Sequence, residues 1–149
     1  MNSYEPITIA DYLPHAGNMC LLSHVTHRDD TTLGCEAQSH LDLKNPLRSN
    51  NQLAAICGVE YAAQAMALHM GLGDVEHSSQ KGFLASLKTV KLDCARLDTL
   101  NEPLTINVSA LFVDPNLGAM YDFRLTAAQK PLVSGQCLIL FASTEARSS

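Results

Sequence analysis

The chain has 149 residues, of which 46% are hydrophobic and 17% charged, as is typical of a folded globular protein. Its net charge of −5 argues against binding to nucleic acid or to an anionic membrane, because both bind basic surfaces. Its low aromatic content of 5% also argues against nucleic acid binding. No apolar run approaches the roughly 18 residues of a membrane span, and residues 1–10 do not resemble a secretory leader. We therefore expect one cytoplasmic domain over residues 1–149, with residues 143–149 as a frayed tail.

Six segments have the pattern of β-strands, because apolar and polar residues alternate in them or because short apolar runs lie between turn formers. In chain order the predicted strands are residues 19–26, 32–38, 82–92, 104–112, 119–126 and 132–141. The first two are predicted to form a hairpin around Asp29 and Asp30, and the fourth and fifth a second hairpin around residues 114–118. In the third strand the apolar phase slips between Leu87 and Val90, which indicates a β-bulge. The sixth is the most apolar, so we expect it inside the sheet, completing a meander.

One long helix is predicted between the second and third strands, over residues 51–70. Asn51 is suited to the N-cap of this helix and Gly71 to its C-terminal stop. The helix is rich in alanine and almost free of charge, so we expect it to be thin and mostly buried. A further short helix could form near residues 7–12.

An antiparallel sheet of about six strands with one apolar face has to cover that face. A single narrow helix inserted after the second strand can do so, and no sequence for a second covering helix is found. We therefore predict an α+β hotdog fold, in which the sheet wraps around one central helix.

The five cysteines are odd in number, widely separated and mostly placed in apolar segments, so most are predicted to be small core residues. Cys57, near the start of the predicted helix, could be an activated thiol, although a core role is favoured. No CxxC pair is present, so no metal site is expected. The GxSxG motif of serine hydrolases and the phosphate-loop motif GxxxxGK[ST] are also absent.

Glu60 is an acid in the middle of the nearly uncharged helix, and Gln64 follows one turn later on the same face. One interpretation is a carboxyl group in a dry pocket, where the loss of hydration lets it exchange a proton with a substrate. The other is an ordinary stripe that faces solvent, and the spacing agrees with both.

His15 lies in a loop that contains Pro14 and Gly17, just before the first predicted strand. Imidazole is the usual proton shuttle near neutral pH, so His15 is a candidate general base. A loop histidine that binds only the local backbone is an equally good interpretation. The remaining five histidines have no recognisable ligand spacing.

Two segments resemble a known family. Residues 12–19 (YLPHAGNM) resemble the YLPHRxPM opening, and residues 58–65 (GVEYAAQA) resemble the GxEYMAQA helix, of predicted 3-hydroxyacyl-acyl carrier protein dehydratases. Residues 82–84 also resemble the family's glycine-led GFL segment, so the resemblance spans most of the chain. It implies a hotdog dimer that removes water from a 3-hydroxyacyl thioester on a phosphopantetheine arm, as in fatty acid or aryl polyene synthesis, without a cofactor of its own.

In related dehydratases a histidine of one subunit and an acid on the central helix of the other face the substrate, and Glu60 matches that acid. The fatty acid dehydratases carry the histidine in an HFPG motif before the helix, where this chain has residues 44–51 (KNPLRSNN), so His15 is the motif histidine that remains. We predict that His15 removes the proton next to the thioester, that Glu60 protonates the leaving hydroxyl, and that Gln64 holds the Glu60 carboxyl group. The residues expected to line the substrate tunnel are Ile56, Cys57, Ala63 and Phe83.

Two alternatives stay open. The chain could be an acyl thioesterase in which Glu60 activates water and Gln64 polarises the carbonyl, or a non-catalytic acyl-binding subunit of a heteromeric hotdog dehydratase. Homodimers and heterodimers are both compatible with the sequence. An acidic acyl carrier protein would dock on a locally basic surface. The candidates for that surface are Arg48, Lys88, Lys91 and Arg96.

Overall fold

A computed structural model describes residues 20–73 and 82–141 of the chain. Within these ranges six antiparallel strands form one sheet, with the spatial order β1-β2-β4-β5-β6-β3. The strands are β1 (His24–Arg28), β2 (Thr32–Ala37), β3 (Gly82–Leu92), β4 (Leu104–Asp114), β5 (Gly118–Ala127) and β6 (Lys130–Phe141). One α-helix, α1 (Gly58–Gly73), lies between β2 and β3 in the sequence.

The two faces of the sheet differ as the alternating pattern predicts. On β4 the side chains of Leu104, Ile106 and Val108 are buried, and the residues between them are only half-buried. On β5 the buried and exposed residues alternate in the same way, with Tyr121 buried and Asp122 exposed. The inner face is therefore apolar, and the outer face is polar.

Helix α1 covers the inner face and contacts β2, β4 and β5. Tyr61 and Met66 on α1 are fully buried, together with Ala62 and Ala65. The small side chains allow a close approach of the helix to the sheet, as at the start of the helix. A Cβ atom at Gly58 would lie 3.0 Å from Leu125 and 3.1 Å from Val133. The alanine-rich composition therefore produces the thin buried helix that we expected.

The predicted start of the helix is wrong. Asn50 and Asn51 have φ angles of 52° and 60° and form a tight turn that is closed by hydrogen bonds between Ser49 and Gln52. Asparagine tolerates this left-handed conformation, so Asn51 is a turn residue and not an N-cap. A 3₁₀ turn, Ala55–Cys57, then precedes α1, which continues past Gly71.

The predicted strands agree with the structure, apart from their ends. The hairpins β1-β2 and β4-β5 are confirmed, and β6 lies inside the sheet between β5 and β3. Strand β3 has the predicted bounds and the predicted bulge, between Lys88 and Lys91, as well as a second one between Leu84 and Ser86. Strand β1 starts only at His24, later than predicted. The predicted short helix at 7–12 and the frayed tail at 143–149 lie outside the described residues.

The cysteines behave mainly as apolar side chains. Cys35 and Cys137 are buried in the core, and burial raises the pKa of Cys137 to about 11. Cys20, Cys57 and Cys94 are half-buried. The described residues contain no group of three or more histidine, cysteine or acidic side chains that could hold a metal ion. None of the helices in the same part of the chain has the length and apolarity that crossing a membrane requires.

Candidate active site

Glu60 lies in the first turn of α1, where it is exposed in the isolated chain. Its sequence neighbours Val59 and Tyr61 are both buried against the sheet. The Glu60 carboxylate therefore projects from the accessible side of the helix. The described residues of a single chain do not form a dry pocket around it, so desolvation of Glu60 requires a second surface.

Gln64 has a different environment from Glu60, although the two are one helical turn apart. Its side chain is only 3% exposed, and its Oε1 atom accepts a hydrogen bond from the backbone N–H of Leu21 at 2.9 Å. The carbonyl of Leu21 accepts a second hydrogen bond, from Ser39 Oγ at 2.8 Å. Side chains thus bind both backbone polar groups of Leu21 in place of a strand neighbour, and β1 begins later than its sequence pattern suggests.

A buried network of polar groups extends this attachment to the loop before the helix. Tyr61 Oη and Ser39 Oγ are 2.7 Å apart, and Asn45 Nδ2 donates to Tyr61 Oη at 3.1 Å. Asn45 Oδ1 in turn accepts from the backbone N–H of Leu47 at 2.8 Å. Burial raises the pKa of Tyr61, so its hydroxyl stays protonated and acts as a structural hydrogen-bonding group.

Of the predicted tunnel residues, Ile56 and Cys57 lie in the 3₁₀ turn before α1, and Ala63 lies in α1 itself. Ile56 is 47% exposed, and Cys57 and Ala63 are half-buried. Burial raises the pKa of the Cys57 thiol, which is the opposite of the activation that its position near a helix start could produce, so Cys57 is not an activated thiol. The backbone of Phe83 pairs with Leu140 at the start of β3. His15 lies outside the described residues.

Arg48 fixes the loop that leads into the helix. Its side chain is 9% exposed and donates to the carbonyl oxygens of His40 at 3.0 Å, Asp42 at 2.9 Å and Asn51 at 3.1 Å. Asp98, 4.0 Å from Arg48, accepts from the backbone N–H of Leu53 at 2.9 Å. Arg48 is therefore committed to the loop and is not available as a docking residue for an acidic partner.

Of the other candidate docking residues, Arg96 is bound within the chain and the two lysines are exposed. Arg96 donates through two guanidinium nitrogens to the Asp98 carboxylate, which holds the pKa of Asp98 well below its usual range. Lys88 and Lys91 are exposed on β3. The sequence did not predict that Arg48 and Asp98 hold this loop, because the two residues are far apart in the chain and no spacing rule connects them.

Two further histidines are structural. His40 is fully buried, and its Nε2 atom is 3.0 Å from the carbonyl oxygen of Leu100. Burial lowers the pKa of His40, which favours the neutral ring. His69 lies between Tyr121 Oη at 2.7 Å and the Asp29 carbonyl at 3.1 Å. Because a carbonyl can only accept, Nε2 of His69 carries a proton, and in the neutral ring Nδ1 then accepts from the Tyr121 hydroxyl.

In the part of the chain that the structure describes, the edge of the sheet at β3 is unpaired. Within the described residues β3 pairs only with β6, so its other side has no strand neighbour. Three leucines on β3 are paired with buried residues of β6 and therefore face the helix side, yet they stay partly exposed. They are Leu84 at 40%, Leu87 at 37% and Leu92 at 48%. An unpaired strand with an open apolar side is a typical protein interface.

Comparison with known proteins shows the family of this chain. The profile of the ApeP-like family, described as ApeP dehydratase, matches residues 7–148. The chain belongs to the ApeP-like dehydratase family. This agrees with the resemblance found in residues 12–19 and 58–65. No curated protein sequence matches the chain.

Solved structures show the same fold. The dehydratase heterocomplex ApeI:P from Xenorhabdus doucetiae matches with a TM-score of 0.80 and 20% identity, over 96% of this chain and 95% of that one. A mutant of a thioesterase from Pseudomonas aeruginosa has a TM-score of 0.58 and 15% identity, with 80% of both chains covered. A hypothetical thioesterase with coenzyme A from Streptococcus pneumoniae has a TM-score of 0.58 and 10% identity, over 80% and 85% of the two chains. The predicted hotdog fold is confirmed.

Proposed function

We propose that this member of the dehydratase family acts on a 3-hydroxyacyl thioester carried by an acyl carrier protein and forms the 2-enoyl thioester. The observation that carries the proposal is the position of Glu60, an accessible carboxyl group in the first turn of α1 beside the apolar Ile56. A carboxyl group at the edge of an apolar surface can contact the hydroxyl group of a substrate while that surface contacts its hydrocarbon chain.

In the proposed reaction His15 takes the proton from the carbon next to the thioester. The electron pair of that C–H bond forms the new C=C bond, and the C–O bond of the 3-hydroxyl breaks. Glu60, in its protonated form, gives its proton to the departing hydroxyl, which leaves as water. Backbone N–H groups at the start of α1 would polarise the thioester carbonyl. The acyl group arrives on phosphopantetheine, so the chain needs no cofactor of its own.

A second hotdog subunit completes the site in this proposal. Glu60 is exposed in the isolated chain, and a partner that covers the helix start would remove water from the carboxyl group. The free edge of β3 and its partly exposed leucines supply a surface for such a partner. The similar Xenorhabdus protein is a heterocomplex, which supports an assembly of two hotdog subunits.

Replacement of Glu60 by glutamine tests the assignment. The variant keeps the size of the side chain and removes the proton, so turnover should fall by about 10²- to 10⁴-fold. Glu102→Gln, at an exposed loop position, is the matched control and should keep full activity. The assay is mass spectrometry of a 3-hydroxyacyl carrier protein mixed with the chain, alone and with candidate partner hotdog subunits. Unchanged loss of water with Glu60→Gln would reject Glu60 as the acid.

The same experiment separates the two alternatives. A thioesterase would release free acid, and the thioesterases of similar fold favour this option. It asks Gln64 to polarise the carbonyl by donating from Nε2, although Gln64 is only 3% exposed and its Oε1 atom holds the Leu21 N–H. A non-catalytic subunit would leave the acyl carrier protein unchanged when assayed alone, and in a mixture with an active partner its Glu60→Gln variant would lose no activity. The burial of His40 and His69 leaves neither of these two imidazoles as a substitute for His15.

A further inference from the structure

A polar groove lies on the outer face of the sheet, on the side that α1 does not cover. Its volume of about 560 Å³ is in the range of small-molecule sites. Six of the side chains that line it are polar residues of the adjacent strands β4, β5 and β6, namely Asn107, Ser109, Asp122, Arg124, Ser134 and Gln136. These residues alternate with buried ones, so the sheet separates the groove from the helix and from Glu60.

The groove contains a cation and an anion that do not pair with each other. Asp122 and Arg124 are two residues apart on β5, and both are exposed on the outer face. Among the described residues, neither side chain has an opposite charge within 4.0 Å or a hydrogen bond to the protein. The half-buried Ser134 and Gln136, which pair with them on β6, likewise make no side-chain hydrogen bond in this part of the chain. These four side chains are therefore available to a ligand.

The amide group of Asn107 is oriented by a histidine. His27 Nε2 is 3.1 Å from Asn107 Oδ1, and because an amide oxygen can only accept, Nε2 carries the proton. The imidazole reaches Asn107 across β2 at Gly34, where a Cβ atom would lie 2.4 Å from Nε2. The Asn107 oxygen is thus engaged by His27, and its Nδ2 group is left to donate beside Arg124, with which Asn107 pairs.

Three donors lie side by side in the groove. Asn107, Arg124 and Ser134 form one row across β4, β5 and β6, with neighbours about 5 Å apart. Their amide, guanidinium and hydroxyl groups can all donate hydrogen bonds. A phosphate group has three strongly accepting oxygens and is the usual partner of such a cluster around an arginine.

The next row of the groove has a different chemistry. Ser109, Asp122 and Gln136 are paired across the same three strands, about 7 Å along them from the row of donors. An ionised carboxylate only accepts hydrogen bonds, so Asp122 repels a phosphate group but binds the hydroxyl groups of a ligand. A molecule that fills both rows carries a phosphate group at one end and hydroxyl groups at the other.

One end of the groove is bordered by a strained residue. Thr89, which also lines the groove, has a φ angle of 51°, and this left-handed conformation is rare for a β-branched side chain. It lies in the bulge of β3 between Lys88 and Lys91. The two lysines add positive charge at this end, although Asp93, 3.7 Å from Lys91, offsets part of it. Strained backbone of this kind is concentrated at ligand sites.

We infer that the groove is a second ligand site, which binds the phosphate monoester of a small hydroxylated molecule such as a sugar phosphate. Arg124, Ser134 and Asn107 bind the phosphate group, and the row that contains Asp122 binds the hydroxyl groups. The inference is independent of the proposed dehydration, because the groove and Glu60 lie on opposite sides of the sheet.

An NMR titration of the full-length chain, labelled with ¹⁵N, tests the site. The probes are glucose 6-phosphate and its two halves, glucose and inorganic phosphate. With glucose 6-phosphate the amide signals of Asn107, Arg124 and Ser134 should shift, and that of Glu60 should not. The dissociation constant of glucose 6-phosphate should be about tenfold lower than that of either half, since only the whole molecule binds both rows.

Three variants assign the binding to individual side chains. Arg124→Gln should raise the dissociation constants of glucose 6-phosphate and inorganic phosphate by about tenfold. Lys130→Gln removes an exposed cation of β6 outside the groove and should change neither. Asp122→Ala should weaken the binding of glucose 6-phosphate but not that of inorganic phosphate. The dispersion of the NMR spectrum shows that each variant is folded.

Three results would each overturn the inference: no shift in the groove, shifts centred on the start of α1, or equal dissociation constants for the wild type and Arg124→Gln. None of these measurements uses an acyl substrate, so a failed dehydration assay would not affect them.

Discussion

Replacement of Gln64 tests the network of hydrogen bonds that joins α1 to Leu21. Its Oε1 atom accepts the backbone N–H of Leu21, a residue that is only 2% exposed. In a Gln64→Met variant the side chain keeps its length but loses this acceptor. A buried N–H without a partner costs about 1–3 kcal/mol. In a domain of this size each kcal/mol lowers the melting temperature by about 2–4 °C, so we expect a decrease of roughly 2–12 °C.

Thermal unfolding and amide hydrogen exchange together measure this effect. In Gln64→Met the exchange of the Leu21 amide should accelerate strongly, while amides in the centre of β5 keep their protection. Gln52→Met, at an exposed position, is the control and should change neither property. If Gln64 served only to hold the Glu60 carboxyl group, activity would fall without faster exchange at Leu21. Unchanged stability and unchanged Leu21 exchange would refute the anchoring role.

Two further predictions concern the loop before the helix. In a urea titration, Arg48→Met should lower the free energy of unfolding by about 2–3 kcal/mol, because the part-buried carbonyl of His40 loses a charged donor. The other two carbonyls that Arg48 binds are exposed and can bind water instead. Arg28→Met, at an exposed position, is the control and should lower the free energy of unfolding by less than about 0.5 kcal/mol. His40 has a pKa lowered by burial, so below about pH 6.5 the unfolded chain binds a proton that the folded chain excludes, and stability falls as the pH decreases. The contribution of His40 to this pH dependence is at most about 1.4 kcal/mol per pH unit. It should be absent from His40→Gln and present in His24→Gln. The same pH dependence of stability in the wild type and in both variants would contradict the prediction.

The sheet was largely predictable from the sequence. An alternation with a period of two is visible within a single strand, and it located β3 at the observed residues and both hairpins correctly. The phase slip between Leu87 and Val90 corresponds to a real change of register in β3. The alanine-rich segment likewise predicted a thin helix on the apolar face. Together with two short motifs, these local patterns were sufficient for the fold class and the family.

The environment of the candidate site was not predictable in the same way. Glu60 and Gln64 share a helical face in the sequence pattern, but Glu60 is exposed and Gln64 is buried and bound to Leu21. The turn at Asn50 and Asn51 is local, but its loop is also held by a distant segment, because Asp98 lies 4.0 Å from Arg48 and accepts from the Leu53 N–H. Helical and strand periods depend only on neighbouring residues, so the sequence alone determined which residues alternate and which helix covers the sheet. Burial and hydrogen bonding depend on surfaces that meet only after folding, and for this reason the tertiary structure alone decided which polar side chains support the fold and which remain accessible for chemistry.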